Sequence, residues 1–251
     1  MSIPRVDVVI LAWNDGDLLD TALTSALASE GVDVEVVVVD NGSEPPVVVP
    51  DRGDIRLLRQ EVNLGVAPGR ATGVAETTAP YVCLLDSDAR LHPGSLASLV
   101  GVLESCSDVA LVGPVFDDQR PEESGGRAPG LVVKLARGLG LRDDYVATAS
   151  HDRAWWEVDF VIGACQVFRR TAHDAAGGLD TTIFYGPEDV DFCLRVKDGG
   201  GRVVQVRDAG CVHPARRRNR RLLTRRGLAH GWQVTRHLWR HRRPVVAAGR
   251  R

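Results

Sequence analysis

Tyr81-Val82-Cys83-Leu84-Leu85-Asp86-Ser87-Asp88 decides the fold class. Five apolar residues in a row, preceded by Pro80 and closed by two carboxylates, describe a strand buried on both faces that stops at a polar end. Strands of that kind belong to parallel sheets, and in open α/β sheets ligands gather beyond the strands' carboxyl ends. Asp86 and Asp88 stand at such an end with one residue between them. In an extended turn this spacing lets one carboxylate face a metal while the other meets a ribose or a bridging water. Hard oxygen ligands suit Mg²⁺ or Mn²⁺. A solvated acidic turn has the same sequence, so the pattern gains meaning from its surroundings.

Towards the N-terminus, 6–12 is a β-branched apolar run, and Leu18, Leu19, Ala22, Leu23, Ala26 and Leu27 mark one helical face with Asn14 or Asp15 as its cap. A second strand over 34–39 ends in Asp40-Asn41-Gly42-Ser43 and Pro45-Pro46, followed by a short strand over 55–58 and a helix over 69–76. Beyond the central strand, Pro93 opens a helix with Leu96, Leu99, Val100 and Leu103 on one side, and 109–112 is again a strand. This alternation predicts a Rossmann-like α/β fold, a mostly parallel central sheet flanked by helices. Trp13-Asn14-Asp15 and Asp40-Asn41 then lie at strand ends and converge on Asp86-Ser87-Asp88.

The second half is less regular. Residues 117–130 are rich in Pro, Gly and charge without periodicity, and read as a mobile lid or a disordered stretch. Strands are expected over 158–162, 166–168, 203–206 and 211–212, with a helix over 187–197.

With 44% hydrophobic and 25% charged residues the chain has enough apolar material for a core, which excludes wholesale disorder. Its valine runs are too short for a membrane span, and the opening residues read as a strand rather than a leader peptide. Five scattered cysteines without a CxxC pair argue against a disulfide framework or zinc site and suit a reducing cytoplasm. Dehydrogenase and P-loop readings lack their glycine motifs. The net charge of −2 conceals polarity: residues 201–251 hold fifteen Arg and one acid, a formal +14, against −16 for the first two hundred. That basic end calls for an anionic partner: a lipid surface, the chain's own acidic half or, with no recognised module to support it, nucleic acid.

Three further positions carry chemistry. Glu188-Asp189 follows Pro187 at a helix start, where acids favour the macrodipole but where a carboxylate can also serve as general base. His213, after the last strand, is either structural or a metal ligand. Trp155-Trp156, ahead of Asp159, are core aromatics or a sugar-stacking platform.

Taken in order, these motifs resemble inverting family-2 glycosyltransferases of the GT-A fold, over roughly 6–213. Val8-Val9-Ile10-Leu11-Ala12-Trp13-Asn14 resembles the opening strand and nucleotide loop, and Val37-Val38-Val39-Asp40-Asn41-Gly42-Ser43 the segment whose Asp contacts the base. Asn63-Leu64-Gly65 and Gly69-Arg70 are similar to the next nucleotide-side loop, and Leu85-Asp86-Ser87-Asp88 to the metal motif, with Asp88 the direct ligand. Gly163-Ala164-Cys165, Gly177-Gly178-Leu179-Asp180 and Glu188-Asp189-Val190-Asp191-Phe192-Cys193-Leu194-Arg195 resemble a rhamnosyltransferase-like branch. Arg70-Ala71, where Arg-Asn is common, and Ala12-Trp13, where a small hydroxyl residue and Tyr are frequent, depart from the family on the nucleotide side.

The resemblance implies a donor-binding half over 1–114 and an acceptor-binding and catalytic half over 115–214 that forms a smaller mixed region; beyond it, the charge and the helical spacing of Leu228, Trp232, Thr235 and Trp239 describe a basic helical tail over 215–251. It assigns the donor to Ala12, Trp13, Asn14, Asp15, Asp40, Asn63, Arg70, Asp86 and Ser87, and Mn²⁺ or Mg²⁺ to Asp88, His213 and Asp86. The acceptor falls to Trp156, Asp159 and Gly163, and catalysis to Asp189 as base with Glu188 beside it. The implied reaction moves a sugar from a dTDP- or UDP-sugar to a glycan, lipid-linked or small-molecule acceptor in the cytoplasm, the tail touching the inner face of an anionic membrane or the protein's own acids. Two other classes compete. A sugar-1-phosphate nucleotidylyltransferase needs a Gly-rich, Arg-containing first loop, unlike Ala12-Trp13-Asn14-Asp15. A non-catalytic sugar-nucleotide module is opposed by the presence of Asp86, Asp88, Asp189 and His213 together.

Overall fold

Side chains that alternate between two buried layers set the architecture. The computed structural model describes residues 3–117, 119, 121–127 and 153–214. Along β1 (Arg5–Ala12), Val6, Val8, Ile10 and Ala12 enter one apolar cluster and Val9 the other. β2 (Asp33–Asp40) divides Val36 and Val38 from Val37 and Val39, and β4 (Tyr81–Asp86) divides Cys83 and Leu85 from Val82 and Leu84. Strands apolar on both faces require cover on both. Helices α1 (Asp17–Leu27) and α3 (Ser95–Ser105) supply Leu19, Leu23, Leu96 and Leu99 to the first layer. α2 (Val66–Ala75) and, late in the chain, α6 (Glu188–Asp198) supply Val74, Phe192 and Val196 to the second.

With β3 (Ile55–Arg59), β5 (Arg90–Leu91), β6 (Val109–Phe116), β8 (Trp155–Val158), β10 (Cys165–Arg169) and β11 (Arg202–Val212), these strands form one nine-stranded sheet. Its order is β3-β2-β1-β4-β10-β6-β11-β5, with β8 also paired to β11. β1, β2, β3, β4, β6 and β11 run the same way, while β10, β5 and β8 run against them, so the sheet is mostly parallel as predicted. The boundary expected at 114 lies inside β6, and β10 from the second half sits between two strands of the first.

Several local expectations are corrected. The stretch from 117 is not featureless where it is described. It forms a short helix, α4 (Pro121–Ser124), and a strand, β7 (Gly125–Gly126), which pairs with β9 (Phe160–Val161). The absence of a side chain permits this, because a Cβ on Gly125 would lie 2.8 Å from the Phe160 carbonyl oxygen. The strand expected over 158–162 is split between β8 and β9, and α5 (Arg170–Ala175) follows β10 without having been anticipated. The strands expected over 203–206 and 211–212 are one strand whose register slips between Val206 and Cys211. The basic tail lies outside the described residues. Among those described, no helix is long and apolar enough to cross a membrane, and none of the five cysteines is in a disulfide.

Helix α2 lies unusually close to the sheet. A Cβ on Gly69 would sit 2.5 Å from Leu11 Cδ1, and one on Gly73 would sit 2.4 Å from Val9 Cγ1. In α3, by contrast, Gly101 has open space around it. Alanine gains about 1 kcal/mol over glycine in a helix, whereas overpacking costs about 1–3 kcal/mol. Gly73→Ala should therefore be net destabilising by up to about 2 kcal/mol, and Gly101→Ala stabilising by up to about 1 kcal/mol. Urea unfolding of the two variants checks the difference in sign.

Candidate active site

The loops beyond β1, β2 and β4 meet as the topology requires. Asn14 takes a left-handed conformation, with φ 57°. Its N–H donates to Ser43 Oγ at 3.1 Å, and its Oδ1 accepts from the Glu44 N–H at 2.8 Å. Asp15 Oδ2 accepts from the Trp13 N–H at 3.0 Å and from the Ser87 hydroxyl, tying the first loop to the acidic turn. The Trp13 ring remains exposed. Ala12, at the strand end, is buried and accepts the Asn41 N–H through its carbonyl at 2.9 Å.

Asp40 does not face an open site. It is 2% exposed and accepts from the Ser43 and Val47 N–H groups and from Arg59, at 2.9, 3.0 and 3.0 Å. Burial alone would raise its pKa. The hydrogen bonds from Ser43 and Val47 and the Arg59 charge outweigh that and hold the carboxyl below its ordinary value. Its three hydrogen bonds close the 40–47 loop. Asn63 is likewise engaged: its Oδ1 accepts from Asn41 Nδ2 and the Gly65 N–H.

Asp86, Asp88 and His213 form a cluster in which one ligand atom from each lies within 4.8 Å of the others. His213 Nε2 is 3.4 Å from Asp88 Oδ1 and 3.9 Å from Asp86 Oδ2. β5 makes this proximity: it carries the turn after Asp88 across to pair with Cys211 and Val212, directly before His213. Phe116 packs 5.4 Å from the imidazole, and Gln119 Nε2 donates to the His213 carbonyl at 2.9 Å. Two carboxylates and one imidazole fit a hard or borderline divalent cation, and this cluster can hold one.

Arg70 was expected on the nucleotide side. It is instead 3% exposed, with its guanidinium occupied by the protein. Nη2 donates to Asp86 Oδ1 at 2.5 Å and to the Gly163 carbonyl at 2.7 Å, while Nη1 lies 3.6 Å from Glu188 Oε1. Gly163 in turn donates its N–H to Asp189 Oδ2 at 3.0 Å, and Asp189 Oδ1 accepts from the Val190 N–H at 2.7 Å. Glu188 is buried beside it, with no hydrogen-bond partner for Oε2. Burial first, and then the Asp189 charge, push its pKa up to about 7 against the opposing effect of Arg70.

Two acceptor-side expectations are not brought into this site. Trp156 is 5% exposed and belongs to the second apolar layer, so its indole offers no stacking surface. Asp159 pairs with Lys197 at 2.7 Å, near the opposite end of α6 from Asp189. Arg59 and the bridging role of Arg70 were missed. The one sequence signal for the latter is Gly163, where a Cβ would stand 2.5 Å from Arg70 Nη1.

The glycosyl transferase family 2 model matches residues 7–177, more than half of the chain. The pre-mycofactocin glycosyltransferase of Mycobacterium tuberculosis is 33% identical over 232 residues, 90% of this chain but 46% of that protein. The chain thus spans about half the length of that curated relative. The N-acetylglucosaminyl-diphospho-decaprenol L-rhamnosyltransferase of the same organism is 26% identical over 82% of this chain and 75% of its own length. Among solved structures, the mannosyltransferase PcManGT from Pyrobaculum calidifontis, in complex with GDP-Man and Mn²⁺, superposes with a TM-score of 0.64 at 21% identity. That match covers 94% of this chain and 61% of the other. Staphylococcus aureus TarS gives 0.59 at 14% identity over 83% and 36%. At these identities the structures bear on the fold alone, which is the predicted GT-A arrangement.

The buried Glu188 makes a prediction independent of any ligand. A carboxyl whose native pKa is raised from 4.5 to about 7 holds its proton longer folded than unfolded. Its contribution is complete below pH 4.5 and is lost as pH rises to about 7. The slope cannot exceed one proton, about 1.4 kcal/mol per pH unit. Glu188→Gln should gain stability relative to wild type across that window and keep a constant difference above it. Urea titrations at several pH values read the effect.

Proposed function

Since the chain belongs to glycosyl transferase family 2, we propose that it transfers a sugar from a nucleoside-diphosphate donor to an acceptor hydroxyl by one inverting displacement. The observation that carries this reading is the arrangement of Asp86, Asp88 and His213 on one side of the buried Arg70–Gly163 contact and Asp189 on the other. The exposed Trp13 ring offers a stacking face for the base, beside Asn14 and the Asp15–Ser87 hydrogen bond. Asp40, Asn41 and Asn63 act by shaping the loops around it.

Asp88 and His213, with Asp86, would hold Mn²⁺ or Mg²⁺. Such an ion supplies charge stabilisation for the departing diphosphate. Asp189 takes the proton of the acceptor hydroxyl as the new oxygen–carbon bond forms. The bond from the anomeric carbon to the phosphate oxygen breaks, and the nucleoside diphosphate leaves with the electron pair. Two N–H donors fix the Asp189 carboxylate and leave lone pairs available for that proton. Glu188, buried behind it, acts through the charge at the site rather than as the base.

The name of one relative, an N-acetylglucosaminyl-diphospho-decaprenol L-rhamnosyltransferase, favours a lipid-linked diphosphate as acceptor over a glycan or small molecule. The donor proposed from the motifs is a dTDP- or UDP-sugar, and the GDP-Man of the structural neighbour adds guanosine to the nucleotides worth testing. Residues 215–251, with their arginines, would provide peripheral contact with an anionic membrane face in the cytoplasm.

Thermal shifts with UDP, dTDP, GDP and CMP, with and without Mn²⁺, test the donor site. A ligand at a hundred times its Kd adds about 2.7 kcal/mol, which for a chain of this size raises Tm by roughly 5–10 °C. One nucleotide should shift Tm only with metal, and Asp88→Ala should abolish the shift. Asp189→Asn should bind that nucleotide normally while turnover falls about 10²–10⁴-fold. Near-normal kcat in Asp189→Asn would remove the base assignment.

A further inference from the structure

Burying a guanidinium costs several kcal/mol, and apolar residues of similar volume often give equal or better stability. Arg70 therefore invites an explanation other than stability. Its Nη2 joins Asp86 Oδ1 to the Gly163 carbonyl, its Nη1 faces Glu188, and the Asp86 N–H donates to the Ala164 carbonyl at 2.9 Å. The Gly163 N–H then holds Asp189 Oδ2. A continuous path thus runs from the carboxylate of the metal motif, through Arg70 and the Gly163 backbone, to the carboxylate at the start of α6. Gly163 cannot be larger, because a Cβ would stand 2.5 Å from Nη1 and 3.2 Å from Nη2.

We infer that Arg70 is a positioning residue, a strut that sets the separation between the donor-side carboxylate Asp86 and the base Asp189 through Gly163, and that it does not contact the donor. The inference rests on the glycosyl-transfer reading above. The planar fork of arginine is what the geometry uses, since a lysine ammonium presents one charged centre and cannot reach Asp86, Gly163 and Glu188 together. A donor-binding arginine and a strut also differ in sign. Removing a cation that touches nucleotide weakens nucleotide binding. Removing one that neutralises Asp86 leaves cation binding unchanged or tighter, while turnover falls because the base is misplaced.

The test measures the Mn²⁺-dependent Kd of UDP, dTDP and GDP, and release of nucleoside diphosphate from the matching sugar nucleotides with water taking the sugar at its anomeric carbon and giving its proton to Asp189. Wild type, Arg70→Met, Arg70→Lys and Gly163→Ala are compared alone and combined with Asp189→Asn. Arg70→Met and Gly163→Ala should keep nucleotide Kd within about threefold while kcat falls about 10²-fold, and Arg70→Lys should not restore it. Added to Asp189→Asn, either change should lower kcat by no more than about threefold, because both act on one element. Gly163→Ala alters no charge and keeps the test informative if Arg70→Met fails to fold. A tenfold or greater loss of nucleotide affinity, or full additivity with Asp189→Asn, would overturn the strut. Turnover that survives both variants would overturn it alone. Absence of wild-type turnover with every sugar nucleotide would overturn the parent reading, and the strut with it.

Discussion

Arg70 places a full positive charge where 3% of the residue meets solvent, and the surrounding structure answers that charge group by group. Asp86, Glu188 and the Gly163 carbonyl come from β4, the start of α6 and the β9–β10 turn, three segments that share no local sequence. Desolvation alone would lower the Arg70 pKa; the charges of Asp86, Glu188 and Asp189 together outweigh it and raise the pKa. The charge can be delivered there because α2 approaches the sheet through Gly69 and Gly73, without intervening side chains. A helix held off by even one methyl per turn would carry the guanidinium away from β4. The acidic centre is therefore a consequence of close helix–sheet packing as much as of its acids.

What could be read from sequence was whatever depends on short-range regularity. The two-faced valine strands, the helical faces of α1 and α3, and the convergence of Asp15 with Ser87 all follow from periodicity and from where parallel strands end. Asp88 and His213 were paired by resemblance to a family motif, and the fold brings them to 3.4 Å. What could not be read depends on distant partners. Nothing near Asp40 announces that Arg59 will close over it, and nothing near Asp159 announces Lys197. Trp156 was ambiguous because an aromatic residue on a strand looks alike whether it faces ligand or core; its strand lies against β11, inside the second layer. The Gly- and Pro-rich stretch after β6 looked structureless because glycine strands carry no side-chain signal, yet Gly125 and Gly126 pair with Val161 and Phe160.

The run from Glu188 to Arg195 divides into parts with different work. Its first two acids face Arg70 and Gly163. Its last two charges face each other: Arg195 Nε donates to Asp191 at 2.7 Å. Arg195 Nη1 also binds the carbonyls of Ala176 and Gly178, so the Gly177-Gly178 turn is pinned to the helix that presents Asp189. A single sequence motif thus combines a chemical segment and a clamp, and losing the clamp would move the base without touching it.

β5 has a bearing on when the site comes into being. Its two residues pair with Cys211 and Val212, more than a hundred positions further along the chain, and His213 follows immediately. In a chain emerging from the ribosome, the residues of β1, β2, β3 and β4 and the Asp15 and Ser87 partners are all present while His213 has yet to be polymerised. The acidic cluster exists only after β11 has docked beside β6. Loop closure over such a span is slow compared with local contacts. The nucleotide loops and the metal-type cluster therefore draw on sequence made at different times, the first joined by residues up to Ser87 and the second completed by His213.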